Sequence, residues 1–417
     1  MATKSKKKKA NKIYLVDVTN RDGVQTARLG LAKLQKTMIN IYLNQMGVYR
    51  SEFGFPVTRH ETNYLNANVE LSKIGYLAPI KLSGWVRAIT QDVDIATTRT
   101  SVEHLNLSIS TSNQMLENKF MGKSSKDDII KMMAEAVDLA KKRGLKLVGV
   151  NAEDASRTED EFLVKFAKAA KDHGASTFRY CDTLGYDTPF TIYKKIKNIA
   201  DKVGIDIELH CHNDLGMVVA NSIVGAMAAI DGGVDAYINT TVNAMGERAG
   251  NADLVSVILA IKYGSGMEKY VLDENVKLDM AWKIAKYASY AFGVPIPINQ
   301  PGVGANAFAH ESGIHADGAL KDRRNYELYD YEVLGRGEPE LIETGRQIVA
   351  GEYSGIKGFR NVYDKLEVKF KDDKEATEIL ELVRYGNVHT QKPLTHNELV
   401  FIAKYPQIAK KIFTMNP

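Results

Sequence analysis

A short apolar or β-branched run recurs along most of the chain at intervals of about 30 residues, and each run is followed by a stretch whose apolar residues have helical spacing. This alternation of strand and helix builds a parallel β-sheet, because each helix returns the chain to the edge where the next strand begins. The runs are IYLVDVT (13–19), VYRSEFG (48–54), APIKLSGWVR (78–87), VEHLNLSIS (102–110), LKLVGVNAE (145–153), STFRYCDT (176–183), IDIELHCH (205–212) and DAYINTTVNAMG (235–246).

Eight such units predict an α/β chain folded as a (β/α)8 TIM barrel, which we expect to span residues 13–267. A doubly wound sheet is the alternative. The segment RDGVQTARLG after the first run, however, is not the GxGxxG fingerprint of the phosphate loop in such sheets. In a barrel the chemistry lies at the carboxyl ends of the strands, so the residues that close each run are the candidates for a site.

The chain outside the barrel is predicted to form three further parts. Residues 1–12 carry six lysines and are expected to be a disordered basic tail. Residues 268–340 contain the Pro/Gly-rich segment PIPINQPGVGANAF and are expected to be a linker and subdomain. Residues 341–417 have helical spacing and are expected to be a small, mainly helical C-terminal subdomain.

The composition is that of an ordinary globular protein, with 44% hydrophobic and 25% charged residues. The net charge of +4 becomes −2 without the six lysines of the tail, and no nucleic-acid motif accompanies them. No apolar run approaches the roughly 20 residues of a membrane span, and the N-terminus does not resemble a signal peptide, so we expect a cytoplasmic protein. Cys181 and Cys211 lie within strand-like runs and are expected to be reduced and structural.

The seventh run ends in His-Cys-His, which places His210 and His212 on the same side of a strand and Cys211 on the other. Two imidazoles so placed can share a cation, although strand histidines also bond to neighbouring polar groups. Their position at the carboxyl end of a barrel strand favours a metal site. Asp22 follows the first run and Asn243 lies in the eighth run. These two runs are neighbours in a closed barrel, so the two residues can converge on the same point.

Seven motifs appear in order between residues 15 and 360: DVTNRDGVQ, SEFGFP, NAEDASRT, CDTLGYDTP, HCHNDLG, NAMGERAGN and HESGIHADG. Together they resemble the metal-dependent acyl-CoA/2-oxo acid condensing enzymes, which include isopropylmalate, homocitrate and citramalate synthases and the Re-face citrate synthases. The resemblance implies a barrel followed by a small region that reaches over a partner subunit. It therefore implies a homodimer with shared active sites.

The resemblance also assigns roles to residues. It implies that Asp22, His210 and His212 bind a divalent metal ion (manganese, cobalt, magnesium or zinc), with Asn243 as a fourth ligand. It further implies that Arg21 stabilises negative charge on the reacting oxygen, a task that suits a permanent cation with several N–H donors. Gln25 and Thr183 match positions that contact the 2-oxo acid in the family.

The GIH motif implies a base. Its histidine, His315, is expected to enter the site of the neighbouring subunit and to remove a proton from the acetyl group of acetyl-CoA. Glu153 matches an acid that assists this histidine, and Tyr326 matches a tyrosine that follows it by eleven residues. His310, five residues before His315, is a competitor for the same role.

The acceptor substrate is predicted from the departures from the family pattern. Homocitrate synthases usually carry an arginine where this chain has Gly149, so a shorter diacid is expected, bound by Asn151 and by Arg87 or Arg179. The segment TNRDGVQT resembles the corresponding segment of the Re-face citrate synthases, so we expect condensation of acetyl-CoA with oxaloacetate to give citrate. The alternatives are 2-oxoglutarate (homocitrate synthase) and the acceptors of isopropylmalate or citramalate synthase. An acyl-CoA lyase or aldolase on the same scaffold, and a noncatalytic scaffold protein, are more distant alternatives.

Overall fold

The computed structural model describes residues 10–340 and 344–415. In these residues the predicted runs form eight parallel strands that close into a barrel in sequence order. The strands are β1 (Ile13–Asp17), β2 (Arg50–Gly54), β3 (Lys81–Arg87), β4 (His104–Ser110), β5 (Leu147–Glu153), β6 (Thr177–Asp182), β7 (Asp206–Cys211) and β8 (Ala236–Thr240). The predicted (β/α)8 TIM barrel is confirmed.

The barrel closes because β1 pairs with both β2 and β8. Val16 lies opposite Arg50 on one side, and Leu15 lies opposite Ile238 on the other. Both faces of these strands are covered, so the strands read as runs of apolar and β-branched residues rather than as an alternation. Every residue of β2, β6 and β8 is buried.

Helices surround the barrel and continue beyond it. Those of the barrel are α1 (Lys33–Gln45), α2 (Thr62–Lys73), α3 (Thr90–Arg99), α4 (Asn113–Asn118), α5 (Lys126–Lys142), α6 (Asp160–Asp172), α7 (Pro189–Val203), α8 (Val218–Asp231) and α9 (Leu254–Tyr263). Those that follow are α10 (Ala281–Phe292), α11 (Gly313–Lys321), α12 (Ile356–Lys365), α13 (Asp373–Thr390), α14 (His396–Lys404) and α15 (Pro406–Phe413).

Local signals fix the ends of several barrel helices. The hydroxyl of Ser125 accepts from the backbone N–H of Asp128, which caps the first turn of α5. Pro189 occupies the first position of α7, where its missing N–H costs nothing, and Gly204 ends the helix at a φ of 63°. These residues set where each helix leaves the barrel and returns to the next strand.

The helices α12–α15 form the region after the barrel and pack on its outer helices. Asn397 donates to the hydroxyl of Tyr42 in α1 at 2.8 Å, and the hydroxyl of Tyr287 in α10 donates to Glu398 at 2.7 Å. The N–H of Lys33 at the start of α1 bonds to the ring of His389. A helical C-terminal region is therefore present. The bounds 13–267, 268–340 and 341–417 stay predictions, and residues 341–343 and 416–417 lie outside the described residues.

The described part of the chain begins before β1. The N–H of Lys12 donates to Asp235 Oδ1 at 2.9 Å, and Lys12 also pairs with Glu274. The predicted tail 1–12 thus includes a residue that is bound to the barrel, whereas residues 1–9 lie outside the described part of the chain. Within that part, none of the helices has the length and apolar content that crossing a bilayer needs.

Candidate active site

A cavity of about 260 Å³ lies at the carboxyl ends of the barrel strands. Eight of the twelve predicted site residues line it, namely Arg21, Asp22, Gln25, Asn151, Glu153, Thr183, His210 and His212. A larger groove of about 870 Å³ lies between α13 and α15, but its lining contains no histidine and no cysteine. The barrel cavity is therefore the candidate active site.

The centre of the cavity is a group of one carboxylate and two imidazoles. Asp22 follows β1, His210 lies in β7, and His212 comes directly after that strand. Asp22 Oδ2 is 3.6 Å from His210 Nε2 and 3.8 Å from His212 Nε2. This oxygen is buried and has no hydrogen-bond partner, and the three ligand atoms all lie within 4.8 Å of one another. Such a set of unpaired donors fits a divalent cation.

The protonation states of this group also suit a cation. Burial lowers the pKa of His210 well below its usual value, and the nearby Arg21 lowers it further. Burial likewise lowers the pKa of His212. Burial alone would raise the pKa of Asp22, but Arg21 and the two histidines lower it below its ordinary value. The site therefore holds two neutral imidazoles and a carboxylate, which are the forms that bind metal ions.

Asn251, and not the predicted Asn243, is the asparagine that lies with this group. The amide of Asn243 donates to the carbonyl of Ala285 at 2.9 Å, and Asn243 does not line the cavity. Asn251 pairs with His212 in an antiparallel bridge, helps to lower the pKa of Asp22, and has a buried Oδ1 with no hydrogen-bond partner. Both asparagines belong to NAMGERAGN, so the motif is the signal that points to either.

Arg21 lines the cavity at the head of a buried chain of alternating charges. Arg21 Nε donates to Glu52 Oε1 at 2.6 Å, and Arg179 Nη2 donates to Glu52 Oε2 at 2.6 Å. Arg179 Nη2 also donates to Glu208 Oε1 at 2.5 Å, and Arg50 pairs with the other oxygen of Glu208. We call these five residues the ion-pair chain. It was not recognised in the sequence, although charges inside barrel strands were its signal.

Two predicted acid-binding arginines are placed differently by the structure. Arg87 ends β3, where its guanidinium turns away to form a bidentate pair with Asp92 at 2.8 and 2.9 Å, and 65% of its side chain is exposed. Arg87 does not line the cavity, and its assignment as a substrate-binding residue stays a prediction. Arg179 lines the cavity, but its N–H groups are taken by the ion-pair chain and by Asn151, whose amide accepts from Arg179 Nη1 at 3.3 Å when its oxygen is turned toward that donor.

Glu153 ends β5 at the edge of the cavity. Lys119 Nζ lies 2.6 Å from Glu153 Oε2, and the hydroxyl of Ser110 donates to the same oxygen. About half of the Lys119 side chain is exposed, so the cation that pairs with Glu153 is in contact with solvent. Sequence reasoning missed Lys119, because nothing in the composition of its loop marks it.

The predicted base region lies apart from the cavity of its own chain. His315 and Tyr326 are exposed and do not line the cavity, and their rings stack at 4.3 Å. His310 bonds instead to Glu327 at 3.2 Å. No residue of α11 is buried, and Ile314 and Leu320 in this helix are 76% and 89% exposed.

The chain is similar to several known proteins. A family model described as HMGL-like matches residues 12–287, and one described as Homocitrate synthase post-HMGL domain-like matches residues 303–388. A protein of Dehalococcoides mccartyi named Citrate (Re)-synthase is 60% identical over 97% of this chain and 99% of that protein. A 2-isopropylmalate synthase of Caldanaerobacter subterraneus subsp. tengcongensis is 38% identical over 95% of this chain and 96% of that protein. Homocitrate synthase 1 of a Nostoc species is 33% identical over 94% of this chain and 97% of that protein.

Solved structures share the barrel. A hydroxymethylglutaryl-CoA lyase from Pseudomonas aeruginosa matches with a TM-score of 0.57 and 16% identity, over 69% of this chain and 95% of that chain. An HMG-CoA lyase from Bacillus subtilis matches with a TM-score of 0.55 and 18% identity, over 70% and 96%. At these identities the likeness concerns the fold alone.

Proposed function

The chain belongs to the HMGL-like family, and from this premise we propose that it condenses acetyl-CoA with oxaloacetate to give citrate and CoA. The observation that carries the proposal is the 60% identity, over nearly the whole of both chains, to the protein named Citrate (Re)-synthase. Its relatives named isopropylmalate and homocitrate synthases place the reaction among condensations of an acyl-CoA with a 2-oxo acid. The chain is thus an acyltransferase.

The proposed cofactor is a divalent cation held by Asp22, His210 and His212, with Asn251 as a further ligand. These side chains present unpaired oxygen and imidazole donors, which supports the assignment. When bound, the cation acts as a Lewis acid on the keto group of the 2-oxo acid. Manganese is the ion we propose to test first, followed by cobalt, magnesium and zinc.

The chain's own residues supply orientation and charge stabilisation. Arg21 Nε is fixed by Glu52 and Arg21 Nη1 donates to Asp22 Oδ1 at 3.1 Å, so the remaining N–H groups of Arg21 are available in the cavity. We propose that these groups stabilise the negative charge that develops on the reacting oxygen. Gln25, Asn151 and Thr183 also line the cavity and are proposed to contact the acid.

His315 is proposed to act as the base in the cavity of a second copy, with Glu153 and Tyr326 assisting. The base removes a proton from the acetyl methyl group, and the resulting carbanion bonds to the keto carbon of the acceptor. The C=O π bond opens to an alkoxide, which takes up a proton to give the tertiary alcohol. Water then cleaves the thioester C–S bond, which leaves a carboxylate and free CoA. The exposed Ile314 and Leu320 beside His315 support a homodimer, because docking on a partner would bury them.

Gly149 supports a short acceptor. A Cβ at this position would lie 2.0 Å from Asn106 Oδ1, so β5 has no room for the arginine that homocitrate synthases usually carry there. The wall of the cavity near Asn151 is therefore proposed to hold the second carboxylate of oxaloacetate rather than that of 2-oxoglutarate.

The test is CoA release from acetyl-CoA, with manganese present and with oxaloacetate, 2-oxoglutarate, 2-oxoisovalerate and pyruvate offered in parallel. We expect preference for oxaloacetate, and loss of turnover on chelation and in His315→Ala. Preference for another acceptor would reassign the substrate within the family. No turnover with any acceptor would favour a lyase or a noncatalytic scaffold and would refute the proposal.

Mixing two inactive variants tests the shared site. Asp22→Asn and His315→Ala each spoil every site of a homodimer, but a mixed dimer contains one site with both residues intact. After subunit exchange we expect about a quarter of the parental activity, because about half of the dimers are mixed and each has one working site. A mixture that stays inactive would refute a base donated by the partner.

We propose the cytoplasm as the location of the enzyme.

A further inference from the structure

Asn239 lies in β8, next to the candidate metal ligand His210, and is 1% exposed. Its Nδ2 donates to Glu208 Oε1 at 2.7 Å. Its Oδ1 lies 3.0 Å from His210 Nδ1. The asparagine therefore connects a metal-binding histidine to the ion-pair chain.

The neighbours of Asn239 determine which way its amide faces. Glu208 is paired with the cations Arg179 and Arg50, so it is a carboxylate and can only accept hydrogen bonds. The NH2 group of Asn239 must therefore face Glu208, and its carbonyl oxygen must face His210. An oxygen can only accept, so His210 Nδ1 must carry the proton.

This arrangement also determines the tautomer of His210. With the proton on Nδ1, a neutral imidazole has its lone pair on Nε2, the atom that faces Asp22 Oδ2 at 3.6 Å. We propose that Asn239 is a positioning residue that holds His210 in the metal-binding tautomer and ring orientation. The inference rests on the metal site of the proposed function.

His212 offers a contrast within the same site. Its Nδ1 is buried and has no hydrogen-bond partner in the described part of the chain. The protein thus orients one imidazole through a hydrogen bond to its outer nitrogen, and leaves the other without such a bond. Hydrogen-bond partners of this kind are typically worth about 10- to 100-fold in metal affinity.

Asn106 provides a matched control. It is also a fully buried asparagine on a barrel strand, and its Nδ2 also donates to a glutamate of the ion-pair chain, Glu52. Its Oδ1, however, has no partner and contacts no histidine. Replacing Asn106 or Asn239 by leucine removes a similar buried amide, but only the second replacement removes the acceptor for His210.

The experiment is titration of the metal-free full-length protein with Mn²⁺ by calorimetry. We expect the dissociation constant to rise about 10- to 100-fold in Asn239→Leu and to stay within about threefold of the parental value in Asn106→Leu. The conservative variant Asn239→Gln keeps both an acceptor for His210 and a donor for Glu208 and is expected to restore most of the affinity. Equal affinity of Asn239→Leu and Asn106→Leu would overturn the inference.

The tautomer itself can be observed by ¹⁵N NMR of histidine-labelled, metal-free protein. The parental His210 should show a protonated Nδ1 and an unprotonated Nε2, and Asn239→Leu should lose this pattern. An unchanged tautomer would overturn the inference even if the affinity fell, because a general loosening of the barrel would then explain the fall. If the parental protein bound no Mn²⁺, Co²⁺, Mg²⁺ or Zn²⁺, the proposed metal site itself would fail, so the two failures are distinguishable.

Discussion

Replacing Arg179 by methionine should be among the most damaging single changes in the barrel. Arg179 is 0% exposed and lies between Glu52 and Glu208, which are also 0% exposed. It donates to Glu208 at 2.5 and 2.9 Å and to Glu52 at 2.6 and 3.1 Å. Methionine fills similar space without a charge, so the change would remove the cation between the two carboxylates and leave each of them with one arginine, Arg21 for Glu52 and Arg50 for Glu208.

The expected magnitude follows from those stranded charges. Breaking a buried ion pair by removing one partner costs about 3 to 5 kcal/mol, because the remaining charge is uncompensated. After the change Glu52 still pairs with Arg21 and Glu208 still pairs with Arg50, so compensation is lost only in part and we expect a loss near the lower end, about 3 kcal/mol. That is a large part of the roughly 5 to 15 kcal/mol that stabilises most proteins. Arg179→Lys keeps the charge but not the planar set of donors, and it should lose less.

The assay is urea unfolding of the variants beside a matched surface pair. Arg360 pairs with Asp373, but its side chain is 40% exposed and that of Asp373 is 98% exposed, so Arg360→Met should cost less than about 1 kcal/mol. The double variant Arg179→Met/Glu52→Gln removes one charge of each sign. It should regain part of the lost stability, because Arg21 remains paired with Asp22 and Glu208 remains paired with Arg50.

Two results would refute this reasoning. The first is a loss in Arg179→Met as small as that in Arg360→Met, which would mean that the buried pairs contribute no more than exposed ones. The second is a double variant with Glu52→Gln that is no more stable than the single one, which would mean that stranded charge is not the cause of the loss.

Three further predictions concern single residues. Burial raises the pKa of Asp17 to about 7, so the folded protein binds its proton more tightly than the unfolded chain does. The stabilisation that this proton provides is present below pH 4 and is lost as the pH rises through 7, so we expect the free energy of unfolding to fall by about 4 kcal/mol over that range. Urea unfolding at several pH values measures this fall, and Asp17→Asn should make the free energy of unfolding less dependent on pH. Arg87→Ala should change kcat and KM for the acceptor by no more than about twofold, because this side chain faces solvent. A large rise in KM would instead show that Arg87 contacts the acceptor. Gly149→Ala should cost about 1 to 3 kcal/mol, because its Cβ would lie 2.0 Å from Asn106 Oδ1, and an unchanged urea midpoint would contradict this.

The fold could be predicted from the sequence because the barrel strands are buried on both faces. Such strands read as short apolar runs, and their regular spacing leaves few arrangements other than a closed parallel sheet. The residues that close the runs at the cavity were predictable for the same reason. Asp22 lies in the turn after β1, His210 lies near the end of β7 and His212 follows that strand directly, so the topology brings them to one end of the barrel.

Loop geometry limited the rest of the site prediction. Asn243 and Asn251 lie in one motif after β8, and the backbone between them includes Asn243 and Ala244, both at a φ of 57°. This turn directs the Asn243 amide to Ala285 and brings Asn251 back to His212. No periodicity in the sequence encodes that reversal, so the sequence offered two asparagines without a means to choose between them.

Arg87 shows a second limit of sequence reasoning. A residue at the end of a strand either turns into the barrel or meets the helix that follows, and spacing along the strand does not decide which. Here Asp92, five residues later in the first turn of α3, offers a bidentate partner, and the guanidinium takes it. The outcome depends on the competition between one carboxylate in the protein and one in a substrate.

The ion-pair chain explains why the barrel interior tolerates so much charge next to a cavity. Its signs alternate, so each charge has an opposite neighbour, and two arms extend from Arg179 to the site. The Glu52 arm fixes Arg21, whereas the Glu208 arm fixes Asn239 and through it His210. Glu52→Gln should therefore disturb charge stabilisation by Arg21 while sparing metal affinity, and a loss at Arg179 should disturb both. A fall in Mn²⁺ affinity in Glu52→Gln as large as that in Asn239→Leu would show that the arms do not act separately.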